Sequence, residues 1–123
     1  MECITSSECR GAHRAVRDTL DVVGGKWKLV ILTALIDKKR RFKELARTIG
    51  VTPRILSKEL QELEMNKLIS RTVCDTRPIT VEYALTEHGR TLGTVLSAMR
   101  DWGLMHREEI VGKQEPSSDL ALA

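Results

Sequence analysis

The stretch VTPRILSKELQELEMNKLI, Val51 to Ile69, reads as one helix with a sharp start and a sharp stop. Leu56, Leu60 and Leu63 recur at helical spacing and give it one apolar side. Arg54, Ser57, Lys58 and Gln61 stand at i, i+3, i+4 and i+7 on another side. All four side chains can donate hydrogen bonds. A solvated face and a polyanion-binding face share this period, so helix geometry alone does not separate them.

The flanks supply the context. Thr52 suits an N-cap and Pro53 the first helical position. Asn66 is a plausible stop, giving a helix over about 53–66. Just upstream, Phe42 to Ile49 reads as a short helix with Phe42, Leu45, Ala46 and Ile49 inward, ended by Gly50. Two helices joined by about three residues with a glycine between them have the layout of a helix-turn-helix. Downstream the period changes to two. In ITVEYAL, Ile79, Val81, Tyr83 and Leu85 alternate with Thr80, Glu82 and Ala84, which predicts a strand. ISRTVC (69–74) is a weaker strand, and DTRP (75–78) is the turn of a hairpin with Arg77 near its tip.

Further out lie three more helices. KWKLVILTALI (26–36) is apolar nearly all round and reads as a buried central helix, followed by a charged turn over 37–41. Gly11 to Val23 reads as a helix ended by Gly24-Gly25, with Ala12, Val16, Leu20 and Val23 on one side. Thr86 caps a last helix reaching about Ile110, with Leu92, Val95, Leu96, Met99 and Trp102 in a stripe. The expected fold is mainly α with a small β-hairpin, a winged helix-turn-helix over 11–112. Residues 1–10 read as a flexible N-terminus and 113–123 as a disordered tail.

Charge is unevenly placed. Between Lys38 and Pro78 stand 11 Lys/Arg against 5 Asp/Glu, whereas the remainder has 9 against 12. A basic middle between more acidic ends is the footprint expected of phosphate contact. The longest apolar run, LVILTALI, is too short to span a bilayer, and the N-terminus lacks the apolar core of a secretory signal. Three cysteines without framework spacing fit a reducing cytoplasm. Cys3, Cys9 and His13 match no standard zinc spacing, and neither metal nor cofactor is expected. No phosphate loop, nucleophile elbow or HExxH motif argues for an enzyme.

The chemistry suits duplex DNA. An α-helix fits the major groove, and its N-terminal residues reach base edges. The candidates are Thr52, Pro53, Arg54, Ser57, Lys58 and Gln61. Arg77 at the hairpin tip, supported by Arg71, would meet flanking DNA. Arg40 and Arg41, before the short helix, stand where its amides also meet a phosphate. A winged helix used only for protein interaction is the rival reading, and salt separates the two, since DNA binding weakens steeply as salt rises.

VGGKWKLVIL, RRFKEL, LSKELQELEMNKLISRTV, ITVEYALTEHG and the late DWG, in this order and spacing, resemble the HxlR family of bacterial winged-helix regulators, related to the MarR group. The resemblance covers roughly Ala15 to Gly112. It implies a DNA-binding transcriptional regulator, acting as a cytoplasmic homodimer on near-palindromic operators. It also implies dimerisation through the first and last helices, here Val16 and Leu20 with Leu92, Val95, Leu96, Met99 and Trp102. Taken without the resemblance, the Trp102 stripe reads equally as core. Members often carry a cysteine ten residues before the first glycine of GGKW, and in several this thiol senses oxidants or electrophiles. Arg14 stands there in this chain, and Cys9 lies five residues earlier. Cys9 is therefore the candidate redox-sensing residue, with Arg10 and Arg14 as neighbours able to stabilise a thiolate; the plainer reading is an exposed thiol. A small-molecule effector is compatible with the family and is not located by the sequence.

Overall fold

The central helix is apolar nearly all round, and it turns Ile31, Leu32 and Leu35 inward while Val30 and Thr33 face solvent. In the computed structural model, which describes residues 6–112, the elements are α1 (Ser6–Val23), α2 (Lys28–Leu35), β1 (Arg40–Arg41), α3 (Phe42–Ile49), α4 (Pro53–Met65), β2 (Ile69–Cys74), β3 (Thr80–Leu85), α5 (Glu87–Arg90) and α6 (Gly93–Val111). The chain divides into two units, one ending at Thr91 and one beginning at Leu92. In the first, α2 buries Ile31, Leu32 and Leu35 with Leu45 of α3 and Leu56, Leu60 and Leu63 of α4. Each such side chain contributes on the order of 1.5–3 kcal/mol relative to exposure.

The turn between α3 and α4 is built as its residues require. Gly50 takes a left-handed φ of 76°, which lets its N–H return to the Ala46 carbonyl at 2.9 Å. Thr52 then caps α4, its Oγ1 accepting from the Ile55 N–H at 3.3 Å. At the other end, Asn66 hydrogen-bonds the Glu62 carbonyl, and Lys67 makes the left-handed turn with φ 63° that leads into β2.

The sheet is antiparallel in the order β1-β3-β2. Arg71 and Arg40 lie opposite Tyr83 on its two sides. The base of the wing is clasped to the exit of α4. The Thr86 hydroxyl donates to the Lys67 carbonyl at 2.7 Å and accepts from the Gly89 N–H at 2.9 Å, while the Thr86 N–H donates to the Leu68 carbonyl at 3.1 Å. Gly89 lies so close that a Cβ there would collide with that same Leu68 carbonyl.

One polar interaction lies inside the helical core. Lys28 of α2 is only 8% exposed, and its Nζ meets Glu59 Oε1 at 3.1 Å and Glu62 Oε1 at 2.7 Å, both on α4. Burial alone would pull the ammonium's pKa down, but the two carboxylates outweigh it and hold it above the ordinary lysine value. The hydrogen bond from Lys28, with its charge, holds the Glu62 carboxyl below the ordinary glutamate range.

The structure departs from the sequence reading in four places. α1 begins at Ser6, so residues 6–10 are helical where a flexible N-terminus was expected. Met1–Thr5, with Cys3, and the tail 113–123 lie outside the described residues. Arg40 and Arg41 form a strand rather than a turn, since two residues are too few for an alternation to show. The last helix is two, parted at Thr91–Leu92. Gly89 and Gly93 weaken helix on either side, and the Thr91 hydroxyl turns back to the His88 carbonyl. Ile79 is 68% exposed, because β3 begins after it, beyond the reach of the core.

Removing the buried ammonium should strand the Glu59 carboxylate, which is 12% exposed. Lys28→Ala should therefore cost roughly 3 kcal/mol in chemical denaturation, and an unchanged midpoint would show that the carboxylates need no partner. Because the folded Glu62 pKa lies below its unfolded value, its contribution is complete above the ordinary glutamate value and is lost as pH falls from there through the lowered folded value. Glu62→Gln should accordingly flatten the loss of stability on acidification. Gly89→Ala, which forces backbone against backbone, should cost about 1–3 kcal/mol, readable as a lowered Tm.

Candidate nucleic-acid interface

With Leu56, Leu60 and Leu63 turned into the core, α4 presents Arg54, Lys58 and Gln61 to solvent, with Ser57 half-buried beside them. Pro53 is exposed at the first position. Thr52 uses its oxygen lone pair for the cap, which leaves its O–H to donate outward. No acidic residue occupies the first turn of α4, so the positive end of the helix dipole is not offset there. Ile55, 40% exposed on the same turn, was not singled out from sequence because an isoleucine ordinarily joins the core. Beside Arg54 it is an apolar surface of the kind that meets a thymine methyl.

The other candidates divide into those exposed and those engaged within the chain. Arg71 and Arg77 are exposed on β2 and in the following turn, and neither makes an ion pair among the described residues. Arg71 shares a sheet face with the buried Ile69, two residues away, but lies past the edge of the core. Arg40 departs from the expectation of phosphate contact. Its Nε donates to the Ala34 carbonyl at 2.6 Å and its guanidinium pairs with Asp37 at 3.5 Å, so it joins the end of α2 to the sheet. Arg41 is exposed, and its N–H donates to Glu44 Oε1 at 3.0 Å at the start of α3. Lys39 pairs with Glu82 at 3.3 Å. That contact, with a hydrogen bond from Cys74, holds the Glu82 carboxyl below its ordinary range.

The apolar stripes expected at a dimer interface are exposed on each helix separately. On α1, Val16 and Leu20 face solvent. On α6, Val95, Met99 and Trp102 do so, and the Trp102 ring stacks on His106 with centroids 4.7 Å apart and planes 12° from parallel. Leu92 is half-buried and Leu96 is buried, at 6% exposure. Cys9 lies half-buried on α1. The continuous helix puts His13 one turn beyond it, whereas Arg14 points elsewhere. Arg10 and Arg14 are neighbours of Cys9 in sequence, and it is the helix that brings His13 to its face instead of Arg14.

No helix among the described residues is long and apolar enough to cross a membrane. Comparison with known proteins agrees with the geometry. A family model described as HxlR-like helix-turn-helix matches residues 22–111. The HTH-type transcriptional regulator YdeP of Bacillus subtilis is 46% identical over 96 residues, which is 77% of this chain and 75% of YdeP. Among solved structures, the redox regulator HypR in its reduced form is 41% identical, with a TM-score of 0.74 over 80% of this chain and 99% of that one. Its oxidised form is 43% identical, with a TM-score of 0.71 over 74% and 95%. A MarR-family transcriptional regulator from Enterococcus faecalis is 29% identical, with a TM-score of 0.69 over 90% and 98%. With an exposed polar stripe on the second helix of its helix-turn-helix, a wing, and regulators throughout these comparisons, the chain belongs to the HxlR-like helix-turn-helix family of DNA-binding transcriptional regulators.

Proposed function

We propose that the chain is a sequence-specific repressor that binds near-palindromic operators as a homodimer. The observation that carries this reading is the division of α4 into two faces. One face is consumed by the core, and the other offers Arg54, Lys58 and Gln61 without obstruction. Arg54 can fork onto a guanine edge, Gln61 can pair with adenine, and Lys58 and Thr52 can hold the neighbouring phosphates. Arg77 and Arg71 of the wing contact the flanking duplex. Dimerisation covers the exposed apolar residues of α1 and of α6 and places the two reading helices one helical turn of DNA, or a multiple, apart.

HypR is a redox regulator solved in both oxidation states. A thiol on α1 would act on the same helix that carries Val16 and Leu20, so oxidation at Cys9 would alter the spacing between the two reading helices. Cys9→Ser should leave operator binding intact and remove its response to oxidant.

The test is binding to the DNA upstream of the protein's own gene and its neighbours, compared with scrambled duplex. Arg54→Ala should weaken binding to the selected fragment by roughly 1–3 kcal/mol and leave binding to scrambled duplex nearly unchanged. Equal loss on both would remove Arg54 from base reading. Absence of binding at low salt would favour a winged helix used for protein interaction.

A further inference from the structure

A second basic surface lies away from α4. Between the first turns of α3 and the start of β3 runs an open groove of about 950 Å³, wholly within the first unit. One wall carries Arg41, Lys43 and Arg47, all exposed, and the other is Pro78, Ile79 and Val81. Lys43 and Arg47 stand at i and i+4, so their side chains rise from one face of α3 with Cβ atoms about 5–6 Å apart. Neither Lys43 nor Arg47 forms an ion pair or side-chain hydrogen bond among the described residues, while the Arg41 charge acts on the Glu82 carboxyl. The one carboxylate in the wall, Glu44, is held by the Arg41 N–H at the helix start.

The shape of the groove follows from the shortness of β1. That strand pairs only with Tyr83 and Glu82, so β3 at Thr80 and Val81 has no neighbour on that side, and the chain turns away into α3. The opening leads directly to the turn that carries Arg77. Lys43 and Arg47, free of ion pairs among the described residues, with Arg41 beside them, an extended opening, and continuity with the tip of the wing together describe a track for a polyanion rather than an enclosed pocket for a small molecule.

We infer that this groove holds one strand of the DNA backbone, with Lys43 and Arg47 as phosphate-neutralising residues outside the reading helix. The inference rests on the DNA-binding reading above and assigns to it two residues that the sequence analysis did not select. These contacts position the duplex between helix and wing and carry no base information.

The experiment is a salt series on the full chain, measuring affinity for the selected fragment and for scrambled duplex. Each neutralised phosphate adds about 0.9 to the slope of log affinity against log salt. Lys43→Gln combined with Arg47→Gln should lower that slope by about 2 on both duplexes and leave their affinity ratio unchanged, and Lys43→Arg should retain the full slope. An unchanged slope in the double variant would overturn the assignment while the DNA reading stands. A lost affinity ratio would overturn it too, by making the residues base readers. Failure of the unmodified protein to bind any duplex would remove the DNA reading and this track together.

Discussion

Much of the first unit depends on a lysine that sits where a hydrophobic residue would be expected. Lys28 opens the most apolar helix of the chain and reaches two carboxylates one turn apart on α4. Apolar packing between two helices tolerates small slides and rotations, since it has no preferred direction. A charge held by two partners does not, because any rotation of α4 that released them would leave charges poorly solvated in a partly buried site. The pair therefore constrains how α4 is rolled about its own axis. That roll decides which residues face outward, and so it decides that Arg54, Lys58 and Gln61 do.

The same interaction marks where sequence reading stops. Leu56, Leu60 and Leu63 are legible because a buried stripe repeats every three or four residues, and Thr52-Pro53 because capping chemistry is local. The two wing strands are legible for a similar reason. The partnership of Lys28 with Glu59 and Glu62 is not, since it joins residues 31 and 34 positions apart, and nothing in KWK distinguishes a buried ammonium from a flanking charge. β1 was hidden by its length. Arg40 illustrates the limit for function. In sequence it is one of four consecutive basic residues, and only the fold shows that its guanidinium is engaged with Ala34 and Asp37 while its neighbour Arg41 stays outside. Lys43 and Arg47 are illegible in sequence for the opposite reason, because on a short amphipathic helix they look like its solvated side.

Charge in this protein is thus sorted into two populations. Lys28, Lys39 and Arg40 have carboxylate partners and belong to the architecture. Arg54, Arg71 and Arg77 have none among the described residues and stand on the side where helix, wing and DNA would meet. Net charge is a modest +3 because acidic residues elsewhere balance the total. The local excess is larger, and the local excess is what a phosphate experiences over a screening distance of about 8–10 Å.

The clasp at Thr86 and Gly89 has a mechanical meaning. It fastens the end of α4, the root of the wing and α5 at the two consecutive carbonyls of Lys67 and Leu68. Helix and wing are therefore not independent fingers but parts of one tool with a fixed bite. Whatever turns α4 turns the root of the wing with it.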